Sequence, residues 1–163
     1  MIRKLHHNAY RCRDSEETRK FYEDFLGLPL VETLEIGQTK TGRATQALHT
    51  FYRLDDGSHL AFFETQDMPF EFKKQHDFDL HIALEVGAEA LQPMLAKGRE
   101  WNIEVRGPSD HGMIDSIYFR DPNGYVIELC ARRANHDALM DPAHNGAREK
   151  LQRWTTAKSG QAA

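Results

Sequence analysis

The architecture can be worked out from one stretch of the chain, Ser116-Ile117-Tyr118-Phe119-Arg120-Asp121-Pro122-Asn123-Gly124-Tyr125-Val126-Ile127-Glu128-Leu129. Two runs rich in β-branched and aromatic residues flank the turn formers at 121–124, which predicts a β-hairpin. Asp-Pro-Asn-Gly suits a type I turn followed by a glycine bulge. That turn pairs Asp121 with Tyr125 and therefore places Tyr118 opposite Glu128 on the neighbouring strand.

The hairpin has a counterpart earlier in the chain. Residues 51–57 read Phe-Tyr-Arg-Leu-Asp-Asp-Gly, where residues 118–124 read Tyr-Phe-Arg-Asp-Pro-Asn-Gly. The elements before each copy also recur. They are a strand at 4–12 and again at 80–84, a helix at 14–27 and 90–98, a second strand at 28–36 and 102–105, and a loop at 37–43 and 107–112. The order strand, helix, strand, strand, strand thus occurs twice, which indicates an internal duplication.

The repeat predicts the fold class. Four strands of one copy would leave an apolar face uncovered, so we expect an α+β fold in which two βαβββ modules form one curled, eight-stranded mixed sheet with helices outside. The predicted domain spans residues 1–134, with module one at 1–66 and module two at 78–134. Residues 135–163 are expected to form a tail with a short helix at 147–156.

Composition narrows the classes of function. The chain has 163 residues, a formal net charge of −4 and 28% charged residues. Mild acidity argues against a nucleic-acid partner, because binding to phosphates needs a concentrated basic face. No apolar run is long enough for a membrane span. Cys12 and Cys130 are far apart and form no CxxC pair, so we expect free thiols and a cytoplasmic location.

The expected burial of Glu128 predicts a cation bound beside it. It lies between Ile127 and Leu129 in a strand that should be half buried, and an unpaired buried carboxylate costs several kcal/mol. His7 and His81 occupy equivalent positions in the first strands of the two modules, so a pseudo-twofold arrangement would bring them face to face. Two imidazoles and one carboxylate form a ligand set that leaves open positions on a metal.

Four segments carry a resemblance to a known family: residues 7–10, 14–28, 81–83 and 116–129. As a set they resemble the vicinal oxygen chelate superfamily over residues 1 to about 131. This superfamily includes glyoxalase I, fosfomycin-resistance thiol transferases, extradiol dioxygenases and metal-free bleomycin-binding proteins. The resemblance implies a divalent metal held by His7, His81 and Glu128, and a small-molecule substrate. It also makes a homodimer the expected state, with the tail helix around Trp154 as a candidate contact.

Two departures from family patterns bear on the chemistry. Glyoxalase I-like members place a fourth ligand at the position equivalent to Glu128 in module one, where this chain has Ala61, unless a bulge recruits Glu64. Fosfomycin-type thiol transferases usually have Thr in place of Ala9. The three-ligand count resembles that of Fe(II) extradiol dioxygenases acting on a small aromatic diol, which is the leading hypothesis. Well-known members of that branch have a second pair of modules, which is absent here.

Further residues are candidates for catalysis and substrate binding. Tyr118 resembles a tyrosine that dioxygenases place ten residues before the ligand carboxylate. His59 is a candidate catalytic base; alternatively, it faces solvent at the edge of the sheet. Candidate substrate-binding residues are Phe51, Arg53, His111 and Arg120. Alternatively, Phe51 packs in the core, and the two arginines are solvated charges beside the turns. The competing functions are a lyase, isomerase or thiol transferase using Mn(II), Ni(II) or Zn(II), and a small-molecule-binding resistance protein.

Overall fold

Eight strands and four α-helices make up the fold in a computed structural model, which describes residues 1–74 and 76–161. The first half comprises β1 (His7–Arg11), α1 (Ser15–Arg19), β2 (Leu30–Gln38), β3 (Ala44–Arg53) and β4 (His59–Thr65). A π-helical turn, Lys20–Phe25, continues α1. The second half comprises β5 (Ile82–Glu85), α2 (Leu91–Glu100), β6 (Val105–Asp110), β7 (Ile114–Arg120), β8 (Val126–Arg132), α3 (His136–Met140) and α4 (Ala147–Gln161). A 3₁₀ turn, Ala88–Ala90, leads into α2.

The predicted α+β fold with two βαβββ modules and a C-terminal helix is confirmed. The strands are shared between two four-stranded sheets, in the orders β1-β4-β3-β2 and β5-β8-β7-β6. We call these sheet A and sheet B. In each, the first strand runs parallel to the last and the other pairs are antiparallel. Within the described residues no strand of sheet A pairs with a strand of sheet B, so the expected continuous sheet is divided in two.

The predicted hairpin register is confirmed. The N–H of Asp121 donates to the Tyr125 carbonyl at 3.0 Å, the N–H of Gly124 donates to the Asp121 carbonyl at 3.0 Å, and Tyr118 pairs with Glu128. Gly124 has a φ of 94°, and a Cβ there would lie 2.4 Å from the Lys73 carbonyl oxygen, so only glycine fits.

The two modules are equivalent in register as well as in order. Ala9 and Phe51 flank Ala61 in sheet A, as Ala83 and Tyr118 flank Glu128 in sheet B. Ala61 therefore occupies the position in module one that Glu128 occupies in module two.

The helix of module one packs into a core that both modules share. Asp14 caps it as predicted, accepting the N–H of Glu17 at 2.8 Å. Its buried aromatic residues include Tyr22 and Phe25, and the Phe25 ring lies 5.2 Å from the ring of Phe119 on β7. One hydrophobic cluster consequently contains residues of both sheets.

The turn between β7 and β8 also joins the modules. The buried Asp121 carboxylate accepts the N–H groups of Asn123 and Tyr125 and the hydroxyl of Tyr22, the last at 3.0 Å. The Asn123 side chain accepts the N–H of Arg13 at 2.8 Å. Burial raises the pKa of the Asp121 carboxyl, whereas the hydrogen bonds it accepts act in the opposite direction.

Module two and the tail differ from the sequence prediction. The strand predicted at 102–105 and the loop predicted at 107–112 are both displaced, because β6 begins at Val105 and continues to Asp110. Gly107, with a φ of 101°, lies where a Cβ would come within 2.7 Å of the Ser116 carbonyl oxygen, so the strand continues through an irregular register that glycine permits. The tail helix is longer than expected, and its Leu151 and Trp154 are exposed. Residues 162 and 163 of the predicted tail lie outside the described residues.

No helix among residues 1–74 and 76–161 is both long enough and apolar enough to cross a membrane. Both cysteines are free, as expected.

We expect Asp121→Ala to lower the free energy of unfolding by about 2–4 kcal/mol, because it leaves the Tyr22 hydroxyl and two backbone N–H groups in the core without an acceptor. Urea denaturation followed by circular dichroism measures the change. Asp55→Ala, at the exposed turn of module one, is the control and should change stability by less than about 0.5 kcal/mol. Equal effects of the two variants would contradict the inter-module role of Asp121.

Cys12 should be chemically inert in the folded protein. Its thiol is buried, and burial raises its pKa to about 11, so only about one molecule in a thousand carries the thiolate at pH 8. In a Cys130→Ser variant, labelling of Cys12 by a disulfide reagent at pH 8 should be slow without denaturant and complete in urea. Fast labelling without urea would show that the helix of module one opens readily.

Candidate metal centre and catalytic cavity

Glu128 and His81 face each other on the side of sheet B that is turned away from α2. The Oε2 atom of Glu128 lies 3.2 Å from Nε2 of His81, and only 4% of Glu128 is exposed. The other nitrogen of His81, Nδ1, lies 2.7 Å from the Asp77 carbonyl oxygen. A buried carboxylate next to an imidazole nitrogen is a donor pair suited to a divalent metal.

Tyr118 extends this pair into a chain of polar groups. Its hydroxyl donates to Oε1 of Glu128 at 3.2 Å and lies 2.7 Å from Nε2 of His111. Because a phenol has one hydrogen, donation to Glu128 requires that Nε2 of His111 be the donor to the Tyr118 oxygen. Burial and the neighbouring Glu128 charge raise the pKa of the Tyr118 hydroxyl, which keeps it protonated near neutral pH.

These residues line a cavity of about 400 Å³. Its wall is apolar at Phe78, Met113 and Ile114 and polar at the residues just described. The guanidinium of Arg106 covers the ring of Tyr118, with 4.9 Å between its central carbon and the ring centroid. A mixed wall with a few convergent polar groups is typical of a small-molecule site.

His7 lies on sheet A, apart from this cavity. Its Nδ1 is 2.8 Å from Nδ1 of His6, and its ring lies 5.6 Å from the ring of Phe51. His59 is its register partner on β4. Across the described parts of the chain, no three His, Cys, Asp or Glu side chains come together as a metal site. One chain therefore brings together His81, Glu128, Tyr118 and His111, and leaves His7, His59 and Phe51 on the other sheet.

The two arginines predicted to bind substrate lie outside the cavity lining. Arg120 donates to the Glu104 carboxylate at 3.0 Å and to the Gly124 carbonyl at 2.9 Å. Arg53 is exposed at the end of β3. These contacts favour the alternative role of turn charges.

Glu64 has a structural contact. Its carboxylate accepts the N–H of Ser15 at 2.6 Å, and the β3–β4 register is regular from Ala47 to Arg53. The bulge that would turn Glu64 toward the ligand face is absent from this register, so the condition for recruiting Glu64 as a fourth ligand is not met. The carboxylate instead fixes the start of α1.

Sequence reasoning missed two residues at the candidate site and one buried histidine on sheet A. Asp77 and Arg106 form an ion pair at 2.7 Å beside His81 and Tyr118. His49 is buried on sheet A, stacked on Phe63 with 3.5 Å between ring centroids, and its Nε2 has no partner within the described residues. Burial, followed by the charge of His7, lowers the pKa of His49. No repeat or motif singles out these positions; only the spacing of Asp77, four residues before His81, was available as a signal.

Comparison with known proteins identifies the family. The model of the Glyoxalase/Bleomycin resistance protein/Dioxygenase superfamily matches residues 4–129, and the chain belongs to this superfamily. Lactoylglutathione lyases from two Neisseria meningitidis serogroups are each 26% identical over 143 residues, which is 83% of this chain and 96% of theirs.

Solved structures share the fold. A glyoxalase/dioxygenase from Nostoc punctiforme aligns with a TM-score of 0.62 and 22% identity, over 80% of this chain and 92% of that one. A fosfomycin resistance protein from Listeria monocytogenes, complexed with Mn(II) and sulfate, aligns with a TM-score of 0.63 and 18% identity, over 85% and 99% of the two chains.

We expect Glu64→Ala to lower the free energy of unfolding by about 1.5–3 kcal/mol, because a charged acceptor of a backbone N–H is lost. Binding of Mn(II) should be unchanged. Urea denaturation and Mn(II) titration measure the two effects, with Glu35→Ala on the exposed strand β2 as a control for both. Weaker Mn(II) binding in Glu64→Ala would make Glu64 a ligand after all.

Proposed function

We propose that the protein is a divalent-metal-dependent enzyme that promotes a redox-neutral reaction, of the lyase, isomerase or addition type, on a small molecule with two neighbouring oxygens. The observation that carries this proposal is the buried Glu128 carboxylate, shared between His81 on one side and the Tyr118–His111 pair on the other. The names of the curated relatives, lactoylglutathione lyases, and the Mn(II) in the Listeria protein support the same class.

The proposed ligands are His81, Glu128 and His7, the last from a second copy of the chain. His7 is exposed, and it shares no contact with His81 or Glu128 within residues 1–74 and 76–161. A twofold dimer that places sheet A of one protomer against sheet B of its partner would complete two identical sites, because a twofold contact makes the same pairing twice. Phe51 and His59, which lie beside His7, would then face the cavity as substrate-binding or catalytic residues.

The chemistry divides between the metal and the chain. When bound, a divalent cation such as Mn(II), Ni(II), Zn(II) or Fe(II) supplies Lewis acidity that lowers the pKa of a substrate hydroxyl and polarises a carbonyl. Tyr118 holds a proton at its phenol oxygen and can donate it, and His111 can replace that proton through the 2.7 Å contact. Phe78, Met113 and Ile114 provide apolar contacts along one wall of the cavity.

An Fe(II) extradiol dioxygenase acting on a small aromatic diol is the second candidate. The register favours it, since Ala61 occupies the module-one position equivalent to Glu128 and the proposed set has three protein ligands. Three ligands leave room on the metal for two substrate oxygens and O₂. A requirement for O₂ distinguishes this candidate from the first, and binding of a small molecule without any metal would favour a resistance protein instead. The free thiols of Cys12 and Cys130 suit the reducing cytoplasm, which we propose as the location.

Metal binding tests the proposed function directly. We expect the metal-free protein to bind about one Mn(II) per chain, and Glu128→Gln and His81→Ala to weaken that binding at least about 100-fold, because each removes a ligand. Isothermal titration calorimetry measures the affinity, and Glu85→Gln, an exposed carboxylate on β5, is the control. Full Mn(II) affinity in Glu128→Gln would disprove the metal centre.

Mixing two inactive variants tests the origin of His7. If each site combines His7 of one protomer with His81 and Glu128 of its partner, equimolar His7→Ala and His81→Ala chains refolded together should recover about a quarter of the wild-type Mn(II) sites, since half of the dimers carry one intact site out of two. Each variant refolded alone should recover none. No recovery on mixing, with dimers present by sedimentation, would show that all ligands come from one chain.

A further inference from the structure

Arg106 connects two parts of the cavity that are far apart in the sequence. It lies on β6, where Tyr118 is its register partner on β7, and its guanidinium covers the Tyr118 ring at 4.9 Å. Its Nη2 donates to both carboxylate oxygens of Asp77, at 2.7 and 2.9 Å. One side chain thus joins the wall of the cavity to the segment that connects the two modules.

Asp77 contacts His81 through its backbone. Nδ1 of His81 lies 2.7 Å from the Asp77 carbonyl oxygen, which can only accept a hydrogen bond. Nδ1 therefore carries the hydrogen, and a neutral His81 ring has its lone pair on Nε2. Nε2 faces the Glu128 carboxylate, which is itself an acceptor, so the contact at Nδ1 selects the tautomer that a metal ligand needs once a cation lies between Nε2 and Glu128.

The position of the Asp77 carbonyl depends on few contacts. Residues 76–80 form a turn in which the N–H groups of Asp79 and Leu80 donate to the carbonyl of His76. Phe78, the next residue after Asp77, is almost fully exposed. Within residues 1–74 and 76–161, Arg106 is the side chain that forms an ion pair with Asp77. Loss of Arg106 would leave the carbonyl held by a short exposed turn.

We propose that Arg106 and Asp77 are positioning residues of the metal centre. Arg106 fixes Asp77, the Asp77 carbonyl fixes the Nδ1–H tautomer and the orientation of His81, and the same guanidinium holds the face of Tyr118. This inference rests on the proposed function, because His81 is taken as a ligand. It assigns no contact with the metal to either Arg106 or Asp77.

The metal-binding test compares matched variants. Arg106→Ala and Asp77→Ala should each weaken Mn(II) binding about 10–100-fold, the range expected when a group that orients a ligand is lost. The double variant should be no weaker than either single variant, because the two residues act through one contact. Electron paramagnetic resonance of free Mn(II) measures binding. Arg132→Ala, which removes an ion pair with Glu85 elsewhere on sheet B, is the control and should bind like the wild type.

A second measurement requires no metal. The background is Glu128→Gln, whose amide can donate to Nε2 and so removes the competing acceptor. In metal-free Glu128→Gln at pH 8.5, long-range ¹H–¹⁵N spectra should show His81 as the Nδ1–H tautomer, whereas adding Arg106→Ala or Asp77→Ala should show a mixture with the Nε2–H form. His81→Gln assigns the resonances. Arg106→Lys, which retains a charge that can reach Asp77, should restore part of the Nδ1–H signal in this background and part of the Mn(II) affinity in the wild-type background, and this rescue separates positioning from general damage to the fold.

The outcomes separate this inference from the proposed function. If the wild type binds no Mn(II), the metal centre fails, while the tautomer of His81 in the Arg106 and Asp77 variants still decides the positioning role. If the wild type binds Mn(II) but Arg106→Ala retains both its affinity and its tautomer, the positioning role is wrong and the metal centre stands. If Arg106→Ala is unfolded by circular dichroism, the comparison of Arg106→Lys with Asp77→Ala provides the same decision.

Discussion

The turn at residues 121–124 fixes both the candidate site and the way the two modules meet. Its bulge sets the register that places Tyr118 opposite Glu128. Its Asp121 accepts the hydroxyl of Tyr22 from the helix of module one, and its Gly124 leaves room for the backbone at Lys73. A one-residue slip of this hairpin would turn Glu128 toward the apolar core and break the inter-module contacts at the same time. Site geometry and module packing are thus coupled through a single turn.

Electrostatics around Glu128 follow from that register. The carboxylate is almost fully buried, and its contacts are the imidazole of His81 and the hydroxyl of Tyr118. Arg106, the nearby arginine that covers Tyr118, is paired with Asp77. A cation bound between Glu128 and His81 would stabilise this buried carboxylate.

Duplication explains much of what could be predicted. Local sequence signals predicted the individual elements: strand and helix periodicity, the Asp14 cap and the turn residues. Because the same order of elements occurs twice, the elements predicted in one module support those predicted in the other. The equivalence of Ala61 and Glu128 was predicted from two seven-residue stretches, and the registers of β3–β4 and β7–β8 confirm it. Residues 107–110 of the predicted loop at 107–112 were misjudged because Gly and Pro usually end a strand, whereas here Gly107 permits the close approach that continues β6.

The sequence by itself determined the two βαβββ modules and the pairing of Tyr118 with Glu128, because turn geometry and strand alternation are set by residues close together in the chain. Only the tertiary structure decided that His81 faces Glu128 while His7 lies on a separate sheet, that Glu64 holds α1, and that the Arg106–Asp77 ion pair lies beside the site. These outcomes depend on how sheets A and B are placed and on which side chains meet across more than 25 residues of chain. No periodicity or local motif encodes such long-range contacts, since many partners of the same chemistry compete for each of them.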